Sequence, residues 1–431
     1  MAETSLKTII GGTPAGTLTQ DEAGLINFRY AEDYQGVPLS LSMPISNRTY
    51  TQETLLPYLF GLLPDSERQR RAIALEFGVR PNNPVALLTH IGRDCPGGVQ
   101  FCREEDLGAA LDRTGAYGPI SEHDIARRLS SIRQDETVSW MGGEESWSLG
   151  GNQGKFALGF HDGTWCECIG AAATTHIFKN GVVGFRLQAL NEYVCMKTAA
   201  RSGISTAAVE YRFFEDEPAL IVSRYDRVLD ASGNIARLHQ EDFCQALSVM
   251  PNQKYTVDGG PAAHDALRLL CTTKQRHLNL LLFTQILFYN CLIGAPDAHA
   301  KNYSLILGRG RNAAVAPMYD VASGLAYENL RRKGRLAMAI GGENRFGRVG
   351  SDAIHRYMGG NDPALAAMLE KAEFTEAACT AIMADLAQEI PVSMAEVFDE
   401  AEANGIPGAA ELRERMLGAV CENCAKTLAL L

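Results

Sequence analysis

From Arg276 to Ile293 the chain is dominated by Leu, Ile, Phe and Tyr, broken by Asn279, Thr284, Gln285 and Asn290. Those polar interruptions make it too mixed for a membrane span. The run predicts instead a helix buried on most of its sides. Gly294 is a helix-stop residue and Pro296 stands just beyond it. A rigid buried helix therefore delivers a short polar loop carrying Asp297, His299, Lys301 and Asn302. Ser304 to Leu307 then reads as a strand, and a second acid, Asp320, follows another short apolar segment.

Phosphoryl transfer needs residues of these types. One carboxylate orients an acceptor hydroxyl and takes its proton, while an amide oxygen and a second carboxylate hold magnesium against nucleotide phosphates. Asn302 follows Asp297 by five residues, the spacing found in protein kinases. The His-Arg-Asp and Asp-Phe-Gly signatures are both missing, which argues against an ordinary protein kinase. Taken alone, a capped helix end with a solvated loop would leave the same residues.

A chain of 431 residues predicts two or three domains, or a two-lobed enzyme with an extra module. The net charge of −11 opposes a direct grip on nucleic acid by the whole chain. Met1 to Thr13 has neither the basic start nor the long apolar core of a secretion signal. Eleven scattered cysteines read as reduced thiols. A soluble cytoplasmic protein, with no membrane partner, is the expectation. Cys166/Cys168 and Cys421/Cys424 are read as core residues rather than as metal or redox pairs.

Residues 1–130 are expected to form a separate α/β module, 131–226 a strand-rich lobe and 227–431 a helical lobe. Strand-like runs are placed at 18–34 and 38–44, and helices at 52–60, 66–77 and 121–133. His161-Asp162-Gly163 is a hairpin turn between strands at 155–160 and 164–169. Further strands are expected at 174–179, 209–214 and 219–225, with a helix at 191–202. Mostly helix is expected after 227, and Arg331-Arg332-Lys333-Gly334-Arg335 is read as a solvated hairpin face.

Ser148-Leu-Gly-Gly-Asn-Gln-Gly-Lys155 can bring backbone N–H groups close to phosphates at Gly150, Gly151 and Gly154. It is neither a Walker A loop nor a protein-kinase glycine loop. Alone it equally describes a hairpin turn. Lys179, at a strand end, could meet phosphates as a point charge, or simply be an exposed lysine. Glu192, which begins the next helix, could orient it. Ser223-Arg-Tyr-Asp-Arg227 lies where a nucleotide hinge would be.

In this order the motifs SLGGNQGKFAL (148–158), TTHIFK (174–179), RYDR (224–227), RLHQEDFCQAL (237–247), GAPDAHAKNYS (294–304) and PMYDVAS (317–323) resemble the HipA-type toxin kinases. IGRDCPGGVQ (91–100) resembles that family's N-terminal domain, so the likeness covers nearly the whole chain. It implies an α+β, divergent two-lobed protein-kinase-like fold and an ATP- and Mg2+-dependent serine/threonine kinase. It implies Asp297 as catalytic base, His299 and Lys301 in support of the loop, and Asn302 and Asp320 on the metal. Gly150, Gly151, Gln153, Lys155 and Lys179 would serve the nucleotide phosphates. Ser223, Tyr225 and Asp226 would form the adenine and ribose hinge, and His239 and Gln240 the cleft floor. Ser148 matches an autophosphorylated serine ahead of the glycine loop; the alternative is a mere strand-edge hydroxyl. The implied partners are a small helix-turn-helix antitoxin (HipB-like), DNA mainly through that antitoxin, and a translation-related substrate such as an aminoacyl-tRNA synthetase. A small-molecule kinase of the same fold, or an inactive antitoxin-binding co-repressor, are the competing readings. The N-terminal module favours the toxin kinase, and the complete set Lys179, Asp297, Asn302 and Asp320 opposes the inactive form.

Overall fold

The structure, a computed structural model, describes residues 3–112, 115–135, 138, 145, 147–231 and 233–431. It is an α+β protein of two compact units. The first comprises 1–183, 210–252 and 305–312; the second comprises 184–209, 253–304 and 313–431.

The first unit contains the two largest sheets of the chain, of five and six strands. The N-terminal sheet has the order β4-β3-β2-β1-β5, built from β1 (Thr4–Ile10), β2 (Thr13–Gln20), β3 (Ile26–Tyr30), β4 (Thr49–Thr51) and β5 (Val99–Cys102). Helices α1 (Gln52–Gly61), α2 (Glu67–Phe77) and α3 (Pro84–Ile91) accompany it, followed by the short α4 (Leu107–Leu111). The 38–44 run forms no strand; only an isolated bridge joins Ser40 to Met43. The second sheet has the order β10-β11-β9-β7-β8-β6. Its strands are β6 (Gly115–Pro119), β7 (Lys155–His161), β8 (Thr164–Gly170), β9 (His176–Lys179), β10 (Val209–Phe214) and β11 (Glu217–Ser223). Helix α5 (Glu122–Gln134) lies on β11, held by apolar Ile125 and Leu129 and by the Arg133–Glu217 ion pair at 2.5 Å. Phe28, Leu59, Val85 and Phe101 share one apolar core with Leu129, Phe156, Phe178 and Phe214. The expected first and second domains therefore pack around a common core, because the module's helices and the second sheet each bury an apolar face.

Past residue 226 helix predominates as expected, but three short strands come first: β12 (Arg227–Leu229), β13 (Ile235–Arg237) and β14 (Gln240–Asp242). They lead to a one-turn helix, α7 (Phe243–Ala246). The RLHQEDFCQAL run is thereby a seam inside the first unit. Asp242 and Gln245 form a reciprocal capping box, and Gln245 Nε2 donates to the Tyr58 carbonyl at 3.0 Å. Gly61 is required there, since a Cβ would lie 2.6 Å from Gln245 Cγ.

The second unit is built on helices. It holds α6 (Gln188–Arg201), α8 (Ala263–Cys271), α9 (Arg276–Leu292), α10 (Glu328–Lys333), α11 (Ser351–Tyr357), α12 (Pro363–Lys371), α13 (Glu376–Ala403) and α14 (Ala409–Leu428). Short strands β16 (Ala313–Val315), β17 (Arg335–Ile340) and β18 (Glu343–Arg345) belong to it as well, whereas most of β15 (Ser304–Leu307) falls in the first unit. Helix α9 is the buried apolar run, packed on by α8, α13 and α14. Its polar interruptions are bonded, as buried polar groups must be. Asn279 Nδ2 reaches the Ala313 carbonyl at 2.8 Å, Thr284 meets Tyr357 at 2.8 Å, and Asn290 Nδ2 meets Tyr303 at 3.0 Å. Asn423 Nδ2 donates to the Cys291 and Leu292 carbonyls at 3.1 and 2.7 Å, closing the open end of α9. Among the described residues no helix is long and apolar enough to cross a membrane.

Arg331 to Lys333 sit on α10 rather than on a hairpin. Arg331 is spent on the carbonyls of Leu325 and Arg415, at 3.0 and 2.6 Å. Cys166, Cys168 and Cys424 are core residues, and burial pushes the Cys424 thiol up to about 12.

Candidate active site

The residues singled out from sequence fall into two sets, one in each unit. In the first unit, β7 and β9 place Lys155 directly opposite Lys179 in register. Lys179 is only 4% exposed, so the exposed-lysine alternative is excluded. The glycine segment continues from β7. Gly151 has φ +94°, a conformation that favours glycine, and Lys155 Nζ lies 2.8 Å from where a Cβ would stand. Asp65 donates its N–H to the Gly151 carbonyl at 3.1 Å, and Gln69 Nε2 donates to the Asn152 carbonyl at 3.0 Å. The segment is thus docked on the α1–α2 connection.

Ser148 is not a strand-edge hydroxyl. It is 1% exposed, its Oγ donates to the carbonyl of Leu62, and its N–H donates to the Asp94 carbonyl at 2.9 Å. Asp94 is a residue to which sequence reading gave no role. Its carboxylate accepts from Arg227 Nη2 and Arg237 Nε at 2.9 Å each, and from Thr174 Oγ1 at 2.6 Å. Burial alone would raise this carboxyl, but Arg227, Arg237 and Arg224 together hold it well below the usual carboxylate range.

The same cluster corrects the expected hinge. Asp226 is 3% exposed, and both its oxygens are occupied. Oδ1 accepts from Arg224 Nε at 3.0 Å; Oδ2 accepts from Arg224 Nη2 at 2.9 Å and from the Gly97 N–H at 2.6 Å. Its carboxylate is committed to the interior and is taken out of the expected hinge, whereas the Ser223 and Tyr225 side chains are half-buried. His239 is likewise a strut. It donates from Nε2 to the Leu39 carbonyl at 2.9 Å, and burial pushes its pKa down to about 4, so it is neutral. Gln240 Oε1 accepts from the Tyr225 hydroxyl, and Ser223 ends β11 opposite His176. Gln153 lies in the docked segment between Asn152 and Lys155.

The second unit assembles the other set. Helix α9 stops at Gly294, whose φ is +64°. Asp297 then stands exposed, with 69% of its side chain open to solvent. Its carbonyl accepts from the His299 N–H at 2.8 Å and from Asn302 Nδ2 at 2.8 Å. Asn302 Nδ2 also points to the Asp320 carbonyl at 3.4 Å. With its nitrogen turned to two carbonyls, the amide presents Oδ1 the other way, as a hard cation requires. Asp320 itself is held at φ +59°, a left-handed conformation rare outside glycine and concentrated at functional sites. The donor set of one amide and one carboxylate suits magnesium, which is bound by few protein oxygens together with substrate phosphates. Lys301 is buried, and its carbonyl accepts from Tyr319 at 2.7 Å. His299 is buried too, with Nε2 3.8 Å from Asp297 Oδ1.

Two contributors went unrecognised in the sequence. Tyr255 donates its hydroxyl to Asp297 Oδ1 at 2.5 Å, and its ring meets that of His299 edge-on at 4.9 Å. Asn191 of α6 bonds both backbone groups of Ser323. Asn191 is read in the sequence only as the first residue of a helix, and no local pattern marks Tyr255, which lies 42 residues before Asp297.

Fold and donor set define a kinase-like α+β phosphotransferase. Family models match over two stretches: the HipA N-terminal domain over residues 6–102 and the HipA-like C-terminal domain over 147–394. The chain belongs to the HipA family of toxin kinases, and it is an enzyme of that kinase type. Among relatives, it is 37% identical over 341 residues to putative kinase Y4mE of Sinorhizobium fredii, covering 77% of this chain and 79% of that one. It is 28% identical to the serine/threonine-protein kinase toxin HipA of Shewanella oneidensis, over 93% of this chain and 92% of the relative. The fold matches a solved chain of the Shewanella oneidensis HipA, HipB and operator DNA complex with a TM-score of 0.80. That match has 24% identity and covers 99% of this chain and 98% of the other.

Proposed function

We propose that this chain is an ATP-dependent serine/threonine-protein kinase toxin, one half of a toxin–antitoxin pair. The observation that carries the reading is the exposed Asp297 carboxylate on a loop fastened by Asn302 to the backbone of Asp320. Asp297 orients an acceptor hydroxyl and takes its proton. Asn302 Oδ1 and the Asp320 carboxylate hold magnesium, which supplies charge neutralisation at the nucleotide phosphates. In the first unit, Lys155 and Lys179, opposite one another in register, are read as cations for phosphate. His299 and Lys301 support the loop from beneath.

The acceptors are a translation-related protein, such as an aminoacyl-tRNA synthetase, and the chain's own Ser148. Phosphate on Ser148 adds about −1.5 to −2 charges where the hydroxyl now faces the Leu62 carbonyl oxygen. The segment 148–155 must then leave its dock, which switches the kinase off. The partner is a small helix-turn-helix antitoxin, by likeness to relatives solved with HipB. With a net charge of −11, the chain reaches DNA mainly through that partner. Expression without the antitoxin arrests growth in a cytoplasmic setting.

The test is twofold: identify proteins retained by a tagged chain in its host, and follow labelled phosphate from ATP into host lysate. A small basic protein in equal amount and a labelled translation factor are expected. A folded wild-type chain that labels no protein, itself included, would overturn the reading.

A further inference from the structure

The phenol of Tyr255 donates to Asp297 Oδ1 at 2.5 Å, in a loop where Asp297 is otherwise open to solvent. That is the bond an acceptor hydroxyl makes with a catalytic base before transfer. Tyr255 is only half-buried, and its position is fixed from two sides. Its ring packs edge-on against buried His299 at 4.9 Å, and Lys254 Nζ lies 5.6 Å from its centroid. Lys254 is buried, and its carbonyl accepts the Ala300 N–H at 3.3 Å, tying the Tyr255 segment to the loop that carries Asp297. The hydroxyl is therefore held at Asp297 by packing and does not merely swing there from solvent.

We infer that Tyr255 is a positioning residue that occupies the acceptor-hydroxyl place on Asp297 until a substrate serine or threonine displaces it. The inference rests on the reading of Asp297 as the base. In the resting chain the Tyr255 hydroxyl takes the Asp297 Oδ1 acceptor place and fixes the carboxylate in one rotamer. An incoming hydroxyl exchanges one charge-assisted hydrogen bond for another, so entry is selective for groups that can donate. Water competes poorly, because it must displace a phenol already anchored by its ring.

The test is Tyr255→Phe, which keeps the ring against His299 and removes only the donor. Dephosphorylated casein serves as a generic serine/threonine acceptor. Three results are expected. Casein binds the nucleotide-free variant roughly threefold to tenfold more tightly than wild type, because no phenol competes. The KM for casein falls by a similar factor while the KM for ATP stays unchanged. ATP hydrolysis without casein rises roughly threefold or more, because water can take the Oδ1 place that the phenol held. Unchanged casein affinity, KM and hydrolysis in Tyr255→Phe would overturn the inference, provided Asp297→Ala abolishes transfer to casein. If Asp297→Ala still phosphorylates casein, the reading of Asp297 as base falls, and this inference with it. Should Tyr255→Phe fail to fold, 3-fluorotyrosine at position 255 keeps the shape and strengthens the donor. All three quantities must then move in the opposite direction, and no movement or movement in the same direction overturns the inference.

Discussion

Asn191 and Ser323 are bonded reciprocally: Asn191 Oδ1 accepts the Ser323 N–H at 2.9 Å, and Asn191 Nδ2 donates to the Ser323 carbonyl at 2.8 Å. Both residues are buried, and Ser323 Oγ donates onward to the Ile293 carbonyl at 2.5 Å. Helix α6, the end of α9 and the segment just after Asp320 are thereby locked together. Asn191→Ala leaves two backbone groups buried without partners. We expect it to cost about 2–4 kcal/mol of stability. Urea unfolding of the variant checks this, and a loss under about 0.5 kcal/mol would show that the lock is dispensable.

Asp297→Ala is expected to lower phosphate transfer by roughly 10²–10⁴-fold, the contribution of a general base. Asn302 and Asp320 remain, so Mg-ATP binding should persist. Transfer at the wild-type rate would remove Asp297 from the reaction.

Asp320→Ala should weaken ATP binding most when magnesium is present, since the hard cation loses a charged oxygen. Calorimetry with and without magnesium separates this from a general loss of fold. Asp320→Asn should preserve the backbone better than alanine does, because asparagine tolerates the φ of +59° held here. Equal magnesium-dependent affinity in wild type and both variants would take Asp320 out of the metal site.

Ser148→Asp places a carboxylate against the Leu62 carbonyl oxygen, in a site that is 1% exposed. The segment 148–155 should undock and become sensitive to limited proteolysis, while Ser148→Ala stays protected. Mass spectrometry after incubation with Mg-ATP should find phosphate on Ser148 in wild type and not in Asp297→Ala. A phosphorylated form that resists proteolysis and turns over normally would defeat the undocking account.

Stability should respond to pH through two neighbours of opposite sign. Burial pushes the Glu241 carboxyl up to about 8 from 4.5, against hydrogen bonds from the Leu41 N–H and Ser40. With the folded value raised, its stabilising contribution is complete below about 4.5 and is lost as pH rises through about 8. His239, pushed down to about 4 from 6.5, behaves the other way. Its contribution is complete above about 6.5 and is lost as pH falls through about 4. Glu241→Gln keeps an acceptor for Leu41 and should match wild type near pH 5. Near pH 9 it should be more stable by a few kcal/mol. Parallel denaturation curves at both pH values would show that Glu241 does not titrate in this range.

Short-range features were legible. The buried helix α9, its stop at Gly294 and the five-residue step from Asp297 to Asn302 follow from local periodicity and spacing. The hairpin around Asp162 and Gly163 and the helices at 52–61, 67–77 and 122–134 follow in the same way. The 38–44 run was misread because its alternating Leu and Met side chains are buried by the surrounding core without any ladder of backbone pairing. β12 to β14 were missed because three-residue strands carry no periodic signal.

What the linear pattern determined is the set of chemical groups and their local setting: a base, an amide and an acid around one loop, and glycines beside a lysine strand. Only the tertiary structure decided which of those groups are exposed and which are consumed in holding the fold. Asp226 and Arg224 sit in one motif, yet their charges are spent on each other and on groups across the unit; Asp94 meets Arg237 across 143 residues of sequence. Tyr255 finds Asp297 in the same way, over 42 residues. The physical reason is that burial and ion pairing depend on which surfaces come together, and the energy of a charge depends on that environment far more than on its neighbours in the chain.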